Sequence, residues 1–188
     1  MRVPETDIIA DMTAPSIGIQ RPQADEHNPY YSRYIDLVPQ GDIVDTLRQQ
    51  IKDTQAILKG VSEEKGNHRY AADKWTVKEV LGHMIDSERV FGYRAMRVAR
   101  NDQTPLPGFE QDDYVRFGPF AKSRLANLID EFSAVRESNV FLFKDLDEEA
   151  WKRRGTANNS PISVRALAYI IGGHELHHRN ILKEKYGL

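Results

Sequence analysis

Six histidines stand in the 188-residue chain (His27, His68, His83, His174, His177 and His178), and no cysteine accompanies them. That absence removes disulfides, thiolate nucleophiles and every Cys-containing zinc or iron-sulfur site, so a bound metal must rest on imidazole and carboxylate. His174 and His178 are four residues apart, a spacing that brings two rings on one helix face to a common point in front of it. On a helix carrying Val164, Leu167, Ile171 and Leu182, both rings fall within about 40° of the centre of the apolar stripe, whereas His177 falls about 100° away at its edge. Buried imidazoles need partners. A backbone carbonyl, a water, a neighbouring acid and a shared metal ion are all open to this pair.

The run His174, Glu175, Leu176, His177, His178 also satisfies H-E-x-x-H, in which the Glu serves a zinc peptidase as general base. A peptidase needs a third ligand downstream, but Arg179 to Leu188 contain no histidine and Glu184 is their single acid. The third ligand is better sought upstream. His83 lies in WTVKEVLGHMIDSERV, about 100° from the apolar centre defined by Val77, Met84 and Phe91. Periodicity alone makes it a fair candidate. His27 and His68 have no helical neighbours and read as surface residues. A set of His83, His174 and His178 would be three neutral imidazoles with open coordination positions, a count typical of catalytic metal. Such an ion lowers the pKa of bound water to about 7, or holds a substrate thiol as thiolate.

The elements that must position these rings are helices. Apolar residues recur at helical spacing over about Asp42–Lys59, Thr76–Arg100 and Ser123–Lys144, and again after Asn158, Asn159, Ser160 and Pro161. Ser160 and Pro161 read as the N-cap and first turn of the fourth helix. No stretch alternates at period two over strand length, so the expected fold is all-α, a four-helix bundle. From Met1 to about Gln40 five prolines and no period predict an irregular arm, with residues 1–22 irregular or disordered and the bundle domain over 23–188. Tyr30, Tyr31 and Tyr34 suggest that the later arm packs on the body. The connection over about 101–122 is long for a bundle and can cross it end to end, leaving the second and third helices parallel.

Other candidates follow from the same wheels. Glu88 falls near the apolar centre of the second helix, where it either orients a ligand histidine or pairs with an arginine from a neighbouring helix; the ion pair is the favoured reading. Asp112 and Asp113 lie in the long connection and read as turn residues. Arg94, Arg97 and Arg100 form a basic edge that reads as a solvated face.

Composition sets the outer limits. Twenty-six Lys and Arg against 28 Asp and Glu, a net charge of −2, argue against a nucleic-acid partner. The opening MRVPETDIIADMTAPSIG has no apolar run of signal or spanning length, so no membrane is expected and the cytoplasm is the expected location.

The segments WTVKEVLGHMID and ALAYIIGGHELHHRNIL, about ninety residues apart, together with PLPGFEQDDYV, resemble the DinB/YfiT-like superfamily of four-helix metalloenzymes over about residues 23–187. The resemblance implies up-down-down-up connections and a divalent metal, zinc or nickel foremost and iron, manganese or copper otherwise, held by three histidines. Residue by residue, the family's ligands fall on His83, His174 and His178, and His177 matches a position that is not a ligand. It further implies either a thiol S-transferase, using a low-molecular-weight thiol, or a hydrolase acting on a small molecule. A homodimer is also implied. The alternatives are a metal-binding protein without turnover and a stress-associated, non-catalytic helical protein.

Overall fold

The computed structural model describes residues 19–188. The arm begins with two 3-10 turns, Ala24–Glu26 and Pro29–Tyr31, followed by the short helix α1 (Ser32–Ile35). Then come α2 (Ile43–Leu58), α3 (Glu63–Gly66), α4 (Val77–Ala99), α5 (Gln111–Phe117), α6 (Leu125–Lys144) and α7 (Glu148–Lys152). A hairpin of β1 (Arg154–Ala157) and β2 (Ser160–Ser163) leads into α8 (Val164–Tyr186). The long helices α2, α4, α6 and α8 form the bundle.

Their starts are written locally. Asp42 caps α2 through the Val44 and Asp45 amides. Thr76 and Glu79 form a reciprocal capping box on α4. Ser163 caps α8 through the Ala166 amide.

Side-chain pairings give the directions. Along α2 and α8, Gln50 meets Gly172 and Asp53 meets Arg179, so these helices run parallel. Between α4 and α8 the order reverses, with Trp75 against Tyr186 and Phe91 against His174. Glu88 meets Arg136 and Gly92 meets Asn139, making α4 and α6 parallel. Gln55 pairs with Ser133 and Gln50 with Arg136, making α2 and α6 antiparallel. The connections are therefore up-down-down-up. Each of α2 and α4 packs against both α6 and α8, so α2 lies diagonally across from α4 and α6 diagonally across from α8. The long connection makes this possible by returning to the start of α4, where Phe120 lies over Gly82; a Cβ there would stand 2.2 Å from the Phe120 ring.

Two apolar clusters fill the bundle. One gathers Ile43, Leu47, Phe91, Val140, Phe143 and Ile170, and the other Leu58, Val77, Leu81, Leu128, Phe132 and Leu182. Every long helix contributes to both, and between its two contributions every one carries buried polar residues: Gln50 and Thr54, His83 and Glu88, Arg136 and Asn139, His174 and His178. A polar layer thus crosses the middle of the bundle.

Three expectations need correction. The fourth helix starts at Val164 with Ser163 as its cap, because Ser160 and Pro161 belong to β2. Asn158 and Asn159 both adopt positive φ, 48° and 58°, and form the tight turn of a hairpin in which Thr156 pairs with Pro161. The arm is not irregular throughout: residues 24–35 coil into short turns that pack on the body, as its tyrosines suggested. His27 is buried rather than on the surface, with Nδ1 donating to the Asn28 carbonyl at 3.0 Å. Residues 1–18, most of the proposed irregular N-terminal segment, lie outside the described residues. Among the described residues no helix is long and apolar enough to cross a membrane.

Candidate metal centre

His83 projects from α4, and His174 and His178 from α8, into the polar layer where these antiparallel helices meet. The position of His83 near the edge of an apolar face becomes interior because α4 is covered by α6 on one side and α8 on the other. Two glycines precede His174. At Gly173 a Cβ would stand 1.9 Å from the Tyr34 carbonyl oxygen, so only glycine lets α1 lie directly on α8 and bring the Tyr34 ring to 5.3 Å from His174.

The three rings meet at their Nε2 atoms. His174 Nε2 lies 3.0 Å from His83 Nε2 and 3.1 Å from His178 Nε2. One ring nitrogen offers a single lone pair or a single N–H and cannot serve two neighbours well. A cation that collects all three lone pairs removes the conflict: two nitrogens 2.0–2.1 Å from one ion stand about 2.9–3.4 Å apart for angles between about 90° and 109°. The donor set therefore fits a divalent ion of the kind that binds imidazole.

Burial prepares these donors. It holds the His83 imidazolium down to about 4, with a smaller contribution from His177. The same desolvation, followed by the neighbouring imidazoles, holds His174 and His178 well below the usual histidine range. All three rings are consequently neutral at pH 7 with free lone pairs. Packing sets their orientation: Trp75 covers His83 at 4.8 Å, and Phe91 lies 6.0 Å from His174. Ser87 Oγ stands 3.5 Å from His83 Nδ1, beyond good hydrogen-bond distance.

Glu175 turns away from this point. Thr54 of α2 donates to its carboxylate, and Arg179 lies 3.5 Å away. Burial pushes Glu175 up to about 7 against the pull of Arg136, Thr54 and Arg179. It faces α2, so it cannot act as the base that an H-E-x-x-H peptidase requires. His177 is half-buried at the rim against Tyr34, and His68 is exposed near Tyr186. Glu88 takes the ion-pair role, buried with Arg136 and Asn139.

A cavity of about 420 Å³ opens beside the cluster, with His83 and His174 in its wall. The arm contributes Asn28 and Tyr34, the long connection Phe109 and Asp112, and the hairpin Asn158. Asp112, read from sequence as a turn residue, is thus also part of the mouth, whereas Asp113 is exposed outside it. The long connection is held there by Leu106, whose amide donates to the Thr156 carbonyl and whose carbonyl accepts from the Asn158 amide, both at 2.9 Å. Arg94, read as part of a solvated face, is instead buried in the cavity wall, while Arg97 pairs with Asp102 and Arg100 is exposed. Sequence reasoning missed Asn28, Asn158 and Arg94 as cavity residues. Only the paired asparagines, a turn signal, pointed to the hairpin.

A family model described as the DinB superfamily matches residues 46–182. Among solved structures, the chain resembles YfiT from Bacillus subtilis, described as a probable metal-dependent hydrolase with an unusual four-helix bundle topology. That likeness has a TM-score of 0.65 at 13% identity, covering 91% of this chain and 95% of the other. No curated protein matches.

Proposed function

This chain belongs to the DinB superfamily, and from that premise we propose that it is a metal-dependent enzyme in which His83, His174 and His178 hold one divalent ion, zinc or nickel foremost. The convergence of three buried, neutral Nε2 atoms at the wall of a small-molecule cavity carries the reading. When bound, an ion held by three imidazoles supplies a water or thiol nucleophile at neutral pH and polarises an electrophile.

The chain's own residues leave that nucleophile to be supplied from outside. There is no cysteine, Glu175 faces α2, and Ser87 is too distant from His83 Nδ1 to be activated by it. What the protein provides is enclosure and orientation: Trp75, Tyr34 and Phe91 exclude water around the rings, and Asn28, Asn158 and Asp112 offer polar anchors at the mouth. Hydrolysis of a small molecule is the first reading, in line with the description given to YfiT. Transfer of a low-molecular-weight thiol uses the same parts. The volume of about 420 Å³ suits such substrates rather than a polypeptide.

The test is elemental analysis of untagged protein followed by an activity screen. About one divalent ion per chain is expected, and His174→Ala or His178→Ala should abolish it while helical circular dichroism is retained. Esters and amides compared with thiol-plus-electrophile pairs then separate hydrolase from transferase. Protein that takes up no ion in any preparation overturns the proposal.

A further inference from the structure

Among the described residues Arg94 is buried without a counterion. Arg136, the other fully buried arginine, faces Glu88, and the half-buried Arg165 and Arg179 face Glu26 and Glu175. Arg94 is 3% exposed. Its Nη2 donates to the Pro107 carbonyl at 2.6 Å, and its guanidinium lies 5.9 Å and 5.7 Å from the Phe91 and Phe109 ring centres. Among the described residues it forms no ion pair, and its Nε and Nη1 have no protein partner yet are not sealed away. Arg94 lines the same cavity as His83 and His174.

A guanidinium taken out of water with no opposite charge is costly unless something else supplies that charge. The aromatic rings and one carbonyl fix the fork in place without neutralising it. Nor do the histidines, whose imidazoles supply no negative charge. A bound divalent ion would add positive charge and none of the opposite sign. Glu110 and Asp112 are acidic, but they are exposed at the mouth, where water and salt screen them.

We propose that Arg94 is an oxyanion subsite and that the substrate carries a carboxylate or phosphate that pairs with its fork. The planar guanidinium matches either group bidentately. The inference rests on the cavity being the active site. It also sets the substrate's shape: eleven residues separate His83 from Arg94 along α4, about 16 Å of helix rise, which the backward lean of the arginine side chain shortens. The anionic group and the reacting bond therefore lie toward opposite ends of an elongated molecule.

Titration calorimetry with glutarate, inorganic phosphate and neutral glutaramide tests this on wild-type, Arg94→Met and Arg94→Lys proteins, each with and without one equivalent of Ni²⁺. Wild-type protein without the ion should bind one of the two anions at least tenfold more tightly than glutaramide. Arg94→Met should lose that preference, and Arg94→Lys should weaken it several-fold while keeping the charge. Glutarate against phosphate identifies the oxyanion. If metal-free wild type shows no anion preference, or if Arg94→Met or a folded Arg94→Lys binds the anions as wild type does, the subsite is wrong. Failure of the metal reading is distinct: it appears as no Ni²⁺ uptake in any of the proteins and leaves the metal-free comparison intact.

Discussion

Glu88 and Arg136 show what one buried pair does for this bundle. Arg136 is fully buried, and besides Glu88 it reaches the Gln50 side chain at 2.7 Å, tying α2, α4 and α6 together in the polar layer. Removing one charge strands the other in a medium that solvates it poorly. Glu88→Gln should therefore cost about 3–5 kcal/mol in a urea unfolding experiment. The double replacement Glu88→Leu with Arg136→Met should recover a large part of that loss, since no charge is left unpaired. A double variant as unstable as the sum of the two single ones contradicts this account. Neither variant touches the three histidine rings directly, so metal uptake should survive wherever the fold does.

At the scale of the element, the arm is secured by a residue that the sequence alone does not mark. Glu26 accepts from Ser163 Oγ and from Arg165 Nε, both at 2.7 Å, at the start of α8. Burial opposes ionisation of Glu26, but Arg165, the Gln23 amide and Ser163 together hold it down to about 2. Because the folded value lies below the unfolded one, near 4.5, the unfolded chain takes up the proton first as pH falls. Stability from this contact is complete above about pH 4.5 and is lost progressively toward pH 2, on the order of 2–3 kcal/mol in all. Urea midpoints from pH 7 to pH 2 should show that acid limb flattened in Glu26→Gln, whose stability is already reduced at pH 7. An acid limb of unchanged steepness would assign the loss to other groups. The hairpin is an element of the same kind: its Asn158 turn and the Leu106 bridge place a loop wall beside the cavity without extending the bundle.

The whole molecule is organised as two apolar clusters with a polar layer between them. One side of that layer holds Arg136, hydrogen-bonded to Glu88 and Gln50; the other holds three histidines whose Nε2 atoms crowd together. An ion at the second place would join α4 to α8 across 91 residues of sequence, from His83 to His174. Binding to the folded chain alone raises stability by mass action, about 2.7 kcal/mol at a hundredfold excess of free ion over Kd. For a chain of 188 residues this is a rise in Tm of roughly 5–10 °C. Ni²⁺ or Zn²⁺ should produce that rise in scanning calorimetry, a chelator should reverse it, and His178→Ala should abolish it. An equal shift in His178→Ala would place the ion elsewhere.

Local patterns carried much of this. The apolar periods located α2 and α4 to within a residue or two, because amphipathic burial repeats over a few neighbouring positions. The spacing of His174 and His178 placed two rings on one face for the same reason. What the wheel could not decide was His83, whose place at the edge of a stripe becomes interior only when α4 is enclosed from two sides. Nor could it see the burial of Arg94, which depends on Phe109 and Pro107 arriving from a loop, or that of His27, which depends on the arm closing over the body. Chain-local chemistry determines the long helices and the spacing of the paired histidines; which side chains share a cavity depends on contacts between segments many residues apart, and only the packed bundle decides those.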